Sequence, residues 1–121
     1  MRNRILVVED EVYNFTLLKY IFEKEGQKII WARNGEEAVA LFKGDESFDL
    51  ILMDIKMPVM DGFEATRQIR ATGSNIPIIA VTAYAMQDDI DKCLAIGCNE
   101  VITKPLQRED MLNLIRKWIT M

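Results

Sequence analysis

Five short runs dense in Ile, Val and Leu alternate with longer stretches whose apolar residues recur every three or four positions, and few folds accommodate that pattern. The runs occupy residues 4–8, 28–32, 49–53, 77–81 and 101–103. Their near-continuous apolar character predicts strands covered on both faces, as in a parallel sheet. Between the first two, Phe15, Leu18, Ile21 and Phe22 form a helical stripe that stops at Gly26, a residue suited to a helix C-terminus. Asn34 with Glu37 three residues later predicts a capped helix running through Phe42. Phe63, Thr66 and Ile69 mark a third helix, and Ile90, Cys93 and Leu94 a fourth, closed by Gly97. Met111, Leu114, Ile115 and Trp118 recur at i, i+3, i+4 and i+7 and make the fifth. Alternation of this kind implies right-handed crossovers and an α/β, three-layer, doubly wound sheet. The expectation is one domain, residues 1–121, with five parallel strands in the order 2-1-3-4-5.

Composition narrows the function. Half of the residues are hydrophobic and 28% are charged, as in an ordinary globular protein. A net charge of −4 argues against direct nucleic-acid binding. No apolar run approaches the ~20 residues of a membrane helix, and no signal-peptide core opens the chain. Cys93 and Cys98 are too few for a disulfide framework, and with no histidine present they lack the company of a zinc site. A reduced, cytoplasmic protein is expected, its two cysteines serving as helix packing and loop filler.

The order 2-1-3-4-5 places any ligand beyond the C-terminal ends of the first and third strands, where strand order reverses. Those strands end in acid: Glu9, Asp10 and Glu11 after the first, Asp54 after the third. Thr82 and Lys104 end the fourth and fifth and complete the same rim. A carboxylate at the end of a buried strand is costly unless a neighbour uses or neutralises it. Glu9, Asp10 and Asp54 would repel one another without a cation, and oxygen-only ligands point to a hard ion, Mg²⁺ before Ca²⁺. The bland alternative is a solvated loop, and Glu11 fits better as a helix N-terminal charge near Val12. Lys104 can pair with Asp54 at rest and bind a phosphoryl oxygen when one arrives. Thr82 is either a good strand residue or a hydroxyl offered to that anion. Met57-Pro58 and Asp61-Gly62 read as turn chemistry, with Gly62 supplying conformational freedom before the third helix. A carboxylate beside Mg²⁺ with an ammonium opposite suits in-line attack on phosphorus, giving an aspartyl phosphate.

These residues resemble the receiver domains of two-component response regulators across essentially the whole chain. The match consists of the segments 5–11 (ILVVEDE), 52–58 (LMDIKMP) with Asp61-Gly62, Val81-Thr82-Ala83 and Lys104-Pro105. The resemblance implies a flavodoxin-like fold, Asp54 as phosphoacceptor, Asp10 as a direct Mg²⁺ ligand and Glu9 as an outer one acting largely through water. It implies the backbone carbonyl of Lys56 as third protein ligand, Thr82 and Lys104 on the phosphoryl group, and a cis peptide before Pro105. The implied donor is a histidine kinase or a histidine phosphotransfer protein, with a fused kinase or a downstream output protein as further partners. Segments 62–67 and 81–86 look like receivers attached to hybrid histidine kinases, and a stand-alone receiver remains the alternative. Val101 stands where many receivers carry Tyr or Phe, so switching would run through Thr82, the loop to Ala85 and the fourth helix. Lys56 and Tyr84 occupy the positions that tune phosphoryl lifetime in the family. Exposed charges on the fourth and fifth helices, among them Asp88, Asp91, Lys92, Arg108 and Arg116, are interface candidates or simply a solvated face.

Two other functions compete. A degenerate receiver would serve only as a docking module and take up no phosphate. An aspartate-using phosphatase would carry an Asp-x-Asp nucleophile on its first strand, and a flavin or nucleotide binder a glycine-rich loop there. The residues at that place are Glu9-Asp10-Glu11.

Overall fold

The computed structural model describes residues 3–45, 47–83 and 86–119. Its elements follow in strict alternation: β1 (Arg4–Val8), α1 (Val12–Lys24), β2 (Lys28–Ala32), α2 (Gly35–Gly44), β3 (Leu50–Asp54), α3 (Gly62–Ala71), β4 (Ile78–Thr82), α4 (Gln87–Ile96), β5 (Glu100–Thr103) and α5 (Arg108–Trp118). All strand pairs are parallel and the sheet order is β2-β1-β3-β4-β5, as the alternation predicts. Successive strand residues face opposite sides, which divides the core in two. Leu6, Val8, Ile51, Met53, Ile78 and Ala80 pack against Ala38 and Phe42 of α2, Ala65 and Ile69 of α3 and Cys93 of α4. Ile5, Val7, Leu50, Leu52 and Ile79 pack against Leu18, Ile21 and Phe22 of α1 and Met111, Leu114 and Ile115 of α5.

Strands three and four begin and end one residue later than their apolar runs suggest, and strand five begins one residue earlier. Hydrogen bonds, not hydrophobicity, set these limits. The Asp49 carboxylate accepts the Arg4 amide at 2.8 Å just before the ladder begins, and Pro77 has no N–H to contribute. At the other end Asp54 pairs with Val81 and Thr82 with Thr103, which carries the ladder one step further.

The helix ends follow local chemistry. Asn34 accepts the Glu37 amide at 2.9 Å, and the Glu37 carboxylate reaches back to the Arg33 amide at 3.2 Å. Gly97 closes α4 at φ 116, with Cys98 N–H donating to the Cys93 carbonyl at 2.9 Å in a six-residue C-cap. That cap brings the two buried thiols together. Burial pushes Cys98 up to about 11 and Cys93 also upward, so both pack as neutral thiols. Leu94, assigned by periodicity to the buried stripe of α4, is 48% exposed. The helix covers a margin of the sheet, and Cys93 is its buried residue.

The β3–α3 connection contains a three-residue turn in which Met60 N–H donates to Pro58 carbonyl at 2.8 Å around Val59 at φ 70. The turn aims the Met60 carbonyl at the Gly35 amide, 3.0 Å away, and so docks α2 on the connection. A β-branched residue held at positive φ is strained by about 1–3 kcal/mol. Val59 is exposed and has little packing to lose. Val59→Gly should raise stability by about 1 kcal/mol, net of the glycine's greater freedom in the unfolded chain. That corresponds to about 4 °C in thermal unfolding.

Candidate functional site

The C-terminal ends of β1 and β3 are adjacent, and the acids that follow them converge. Glu9 and Asp54 are 2% and 4% exposed, so each carboxylate needs a partner inside the protein. For Asp54 the partners are Lys104 Nζ at 3.0 Å from Oδ2 and the Lys56 amide at 3.2 Å from Oδ1. Glu9 Oε1 accepts the Glu11 amide and Asn14 Nδ2, both at 3.3 Å, and its Oε2 lies 3.5 Å from Lys104 Nζ. One ammonium thus serves two buried carboxylates. Asp10 is exposed beside them, and Glu9, Asp10 and Asp54 each offer an oxygen within 4.8 Å of the others. Glu11 is exposed at the N-cap of α1 and stands outside this trio.

Lys104 is carried by the loop after β5, where the Lys104–Pro105 peptide is cis and the Lys104 amide donates to the Thr82 carbonyl at 2.8 Å. Thr82 is buried at the last position of β4. The Lys56 side chain is exposed, while its amide turns inward to Asp54. Val101 is half-buried on β5 against the core. The residues picked out from sequence, Glu9, Asp10, Asp54, Lys56, Thr82 and Lys104, therefore lie on one rim. Tyr84 and Ala85 lie outside the described residues. Two contributors carried no sequence signal: Asn14, which reaches back to Glu9, and Trp31, whose Nε1–H donates to the Glu9 carbonyl at 2.7 Å.

Gly62 plays a different part from the conformational freedom expected of it. Its amide donates to the Ile55 carbonyl at 2.9 Å, and a Cβ there would sit 2.4 Å from the Asp54 carbonyl oxygen. Glycine lets the start of α3 lie against the end of β3. The helix is capped separately by the Asp61 carboxylate, which accepts the Glu64 amide at 2.9 Å.

The electrostatics follow from that geometry. Burial, then the Asp54 charge, raises Glu9 from 4.5 to about 7 against the opposing pull of Lys104. Burial pulls Lys104 down, but its bond to Asp54, the Asp54 charge and Glu9 outweigh this and hold it above its usual value. A carboxyl raised in the folded state stabilises the protein fully below its unfolded pKa and loses that contribution as pH rises through the folded one. In metal-free buffer, stability should therefore fall between pH 4.5 and about 7, by on the order of 3 kcal/mol from Glu9. Urea denaturation at pH 5 and pH 8 checks this, and Glu9→Gln should flatten the difference.

All the ligand atoms in the trio are oxygens, and they are anionic and close enough to repel unless a cation or proton intervenes. That donor set fits a hard divalent ion. No described helix is long and apolar enough to cross a membrane.

Comparison with known proteins gives the same picture. Residues 5–116 match the family model of the response regulator receiver domain. Two-component system protein A of Emericella nidulans is 42% identical over 97% of this chain, which spans 17% of that protein. The receiver domain of the sensor histidine kinase PA1611 from Pseudomonas aeruginosa PAO1, solved with a magnesium ion coordinated in its active-site cleft, is 37% identical with a TM-score of 0.89, covering 98% of each chain. The receiver domain of Saccharomyces cerevisiae Ssk1, co-crystallised with the histidine phosphotransfer protein Ypd1, is represented by a match of 35% identity and TM-score 0.90 over 97% of this chain and 88% of that one. The chain spans less than a fifth of the length of the first curated relatives it matches. With a five-stranded sheet in this order and an acidic rim at its C-terminal edge, the chain belongs to the receiver-domain family of two-component response regulators.

Proposed function

We propose that Asp54 accepts a phosphoryl group from a phosphohistidine carried by a histidine kinase or a histidine phosphotransfer protein. The observation that carries this reading is a buried Asp54 carboxylate bonded at once to the Lys104 ammonium and the Lys56 amide, beside two further acids. An Asp54 oxygen attacks phosphorus in line, the new O–P bond forms as the P–N bond breaks, and the electron pair leaves on the donor imidazole. Lys104 transfers its hydrogen bond from Asp54 to a phosphoryl oxygen, and the Thr82 hydroxyl donates to another. Asp10, Asp54 and the Lys56 carbonyl would hold Mg²⁺, with Glu9 as an outer ligand. Bound there, Mg²⁺ supplies positive charge to the phosphoryl oxygens as they approach the acids.

The output is conformational. With Val101 at a position that offers no aromatic ring, the signal passes from Thr82 into the segment leading to α4, and shifts the population of the α4–β5–α5 face. The partner that reads that face is a fused kinase or a separate output protein, and from a histidine-kinase donor we propose that the reaction takes place in the cytoplasm. The domain spends its chemistry on itself, taking up and slowly losing phosphate, and does not turn over a free substrate.

Incubation with Mg²⁺ and a small phosphodonor such as phosphoramidate tests the reading. Intact-mass measurement should show the gain of one phosphoryl group, and no gain when Mg²⁺ is chelated before the donor is added. No gain at saturating Mg²⁺ and donor would favour a docking module, and steady turnover of a generic phosphate ester would favour an enzyme.

A further inference from the structure

Trp31 stands at the penultimate position of β2, an edge strand of the sheet, with its side chain turned toward the acidic rim. Its Nε1–H donates to the Glu9 carbonyl at 2.7 Å. The Glu9 amide donates to the Ala32 carbonyl at 3.0 Å. Both backbone groups of Glu9 are therefore tied to consecutive residues of β2. The indole is itself immobilised: Phe15 of α1 stacks on it with centroids 4.3 Å apart and planes 7° from parallel, and the Arg33 guanidinium lies 4.6 Å over the ring.

The carbonyl that Trp31 holds belongs to the peptide joining Glu9 to Asp10. That peptide sets where the Asp10 carboxylate hangs. Asp10 is the exposed member of the acidic trio, and its side chain gains less from surrounding packing than Glu9 or Asp54. A peptide free to rock would spread Asp10 over several positions, and cation binding would have to freeze it. The indole bond removes that freedom beforehand.

We propose that Trp31 is a positioning residue for the divalent-cation site, acting through the Glu9 carbonyl to hold Asp10 in place. The inference rests on the Mg²⁺ reading above and reaches beyond it to a residue on a strand that supplies no ligand. Groups that orient ligands without touching the ion are worth about 10–100-fold in metal affinity.

Trp31→Phe keeps a ring against Phe15 and removes the N–H. Calorimetric titration with Mg²⁺ should show affinity about tenfold weaker. Phosphoryl uptake should need correspondingly more Mg²⁺ and regain its normal rate at saturation. Trp118→Phe removes the other indole, which bonds Glu100 and not the acidic rim, and should leave Mg²⁺ affinity within about twofold. A Trp31→Phe protein that loses stability but binds Mg²⁺ as the parent does would overturn the proposal, because the indole would then only be packing. Should that variant not fold, Trp118→Phe leaves Trp31 as the sole indole. Its emission should then change with the midpoint of the Mg²⁺ titration, and a flat emission would overturn the proposal. A parent protein that binds no Mg²⁺ at all would instead sink the cation site itself.

Discussion

Asp54→Asn should abolish phosphoryl uptake completely and leave the fold at least as stable as before. The first half follows from chemistry: an amide oxygen lacks the charge and the leaving-group energetics to form a lasting bond to phosphorus under these conditions. The second half follows from the charge balance. Glu9, Asp10 and Asp54 crowd a single ammonium, and Asp54 is one of the charges that raises Glu9. Removing one partner of a buried pair usually destabilises a protein because the other charge is stranded. Here it is not stranded, since Lys104 Nζ already lies 3.5 Å from Glu9 Oε2. The site loses a desolvated negative charge and a repulsion, and keeps a pair. Mass spectrometry after exposure to phosphodonor and Mg²⁺ measures the first effect, and thermal unfolding in chelator measures the second. A variant that no longer takes up phosphate but melts well below the parent would mean that Asp54 is a structural carboxylate.

The same balance explains why the rim could be read from sequence. An acid closing a run as apolar as Leu50, Ile51, Leu52 and Met53 has few tolerable environments, and a second acidic run closing Ile5–Val8 shares the need. Strand order then follows from the alternation, and the C-terminal edge from strand order. What escaped was whatever depends on distance across the fold. Trp31 and Glu9 are 22 residues apart, and no spacing rule links an indole to a carbonyl at that remove. Leu94 keeps the helical period, but period does not say how much of a helix the sheet covers. Residues 49 and 77 belong to the apolar runs yet stand one step before the paired strands, where the Asp49 amide donates to the Arg4 carbonyl and Pro77, with no N–H of its own, only accepts from the Ile51 amide. Gly62 beside Asp61 has the composition of a turn, and only the packed structure shows what its missing Cβ makes room for.

That missing Cβ carries the second large effect. Gly62→Ala should destabilise the protein by about 3 kcal/mol, a drop of about 12 °C in melting temperature. The new methyl would meet the Asp54 carbonyl oxygen at 2.4 Å, Ile55 Cα at 2.8 Å and Ile55 Cδ1 at 3.0 Å. Two of those atoms are backbone, and they belong to the end of β3 and the residue after it, so neither can turn aside as a flexible side chain would. Either α3 lifts, breaking the 2.9 Å bond from the Gly62 amide to the Ile55 carbonyl, or β3 shifts and takes the Asp54 carboxylate with it. Both routes move the phosphoacceptor relative to Lys104, so the rate of phosphoryl uptake should fall along with stability. Gly44→Ala is the matched control. A Cβ there meets nothing within 4 Å, and the substitution should be neutral or stabilising by up to about 1 kcal/mol. If the two variants melted alike, α3 would not be seated against the phosphoacceptor strand. Separation of their melting temperatures, with loss of uptake confined to Gly62→Ala, would show that one hydrogen atom in place of a methyl group sets the position of Asp54.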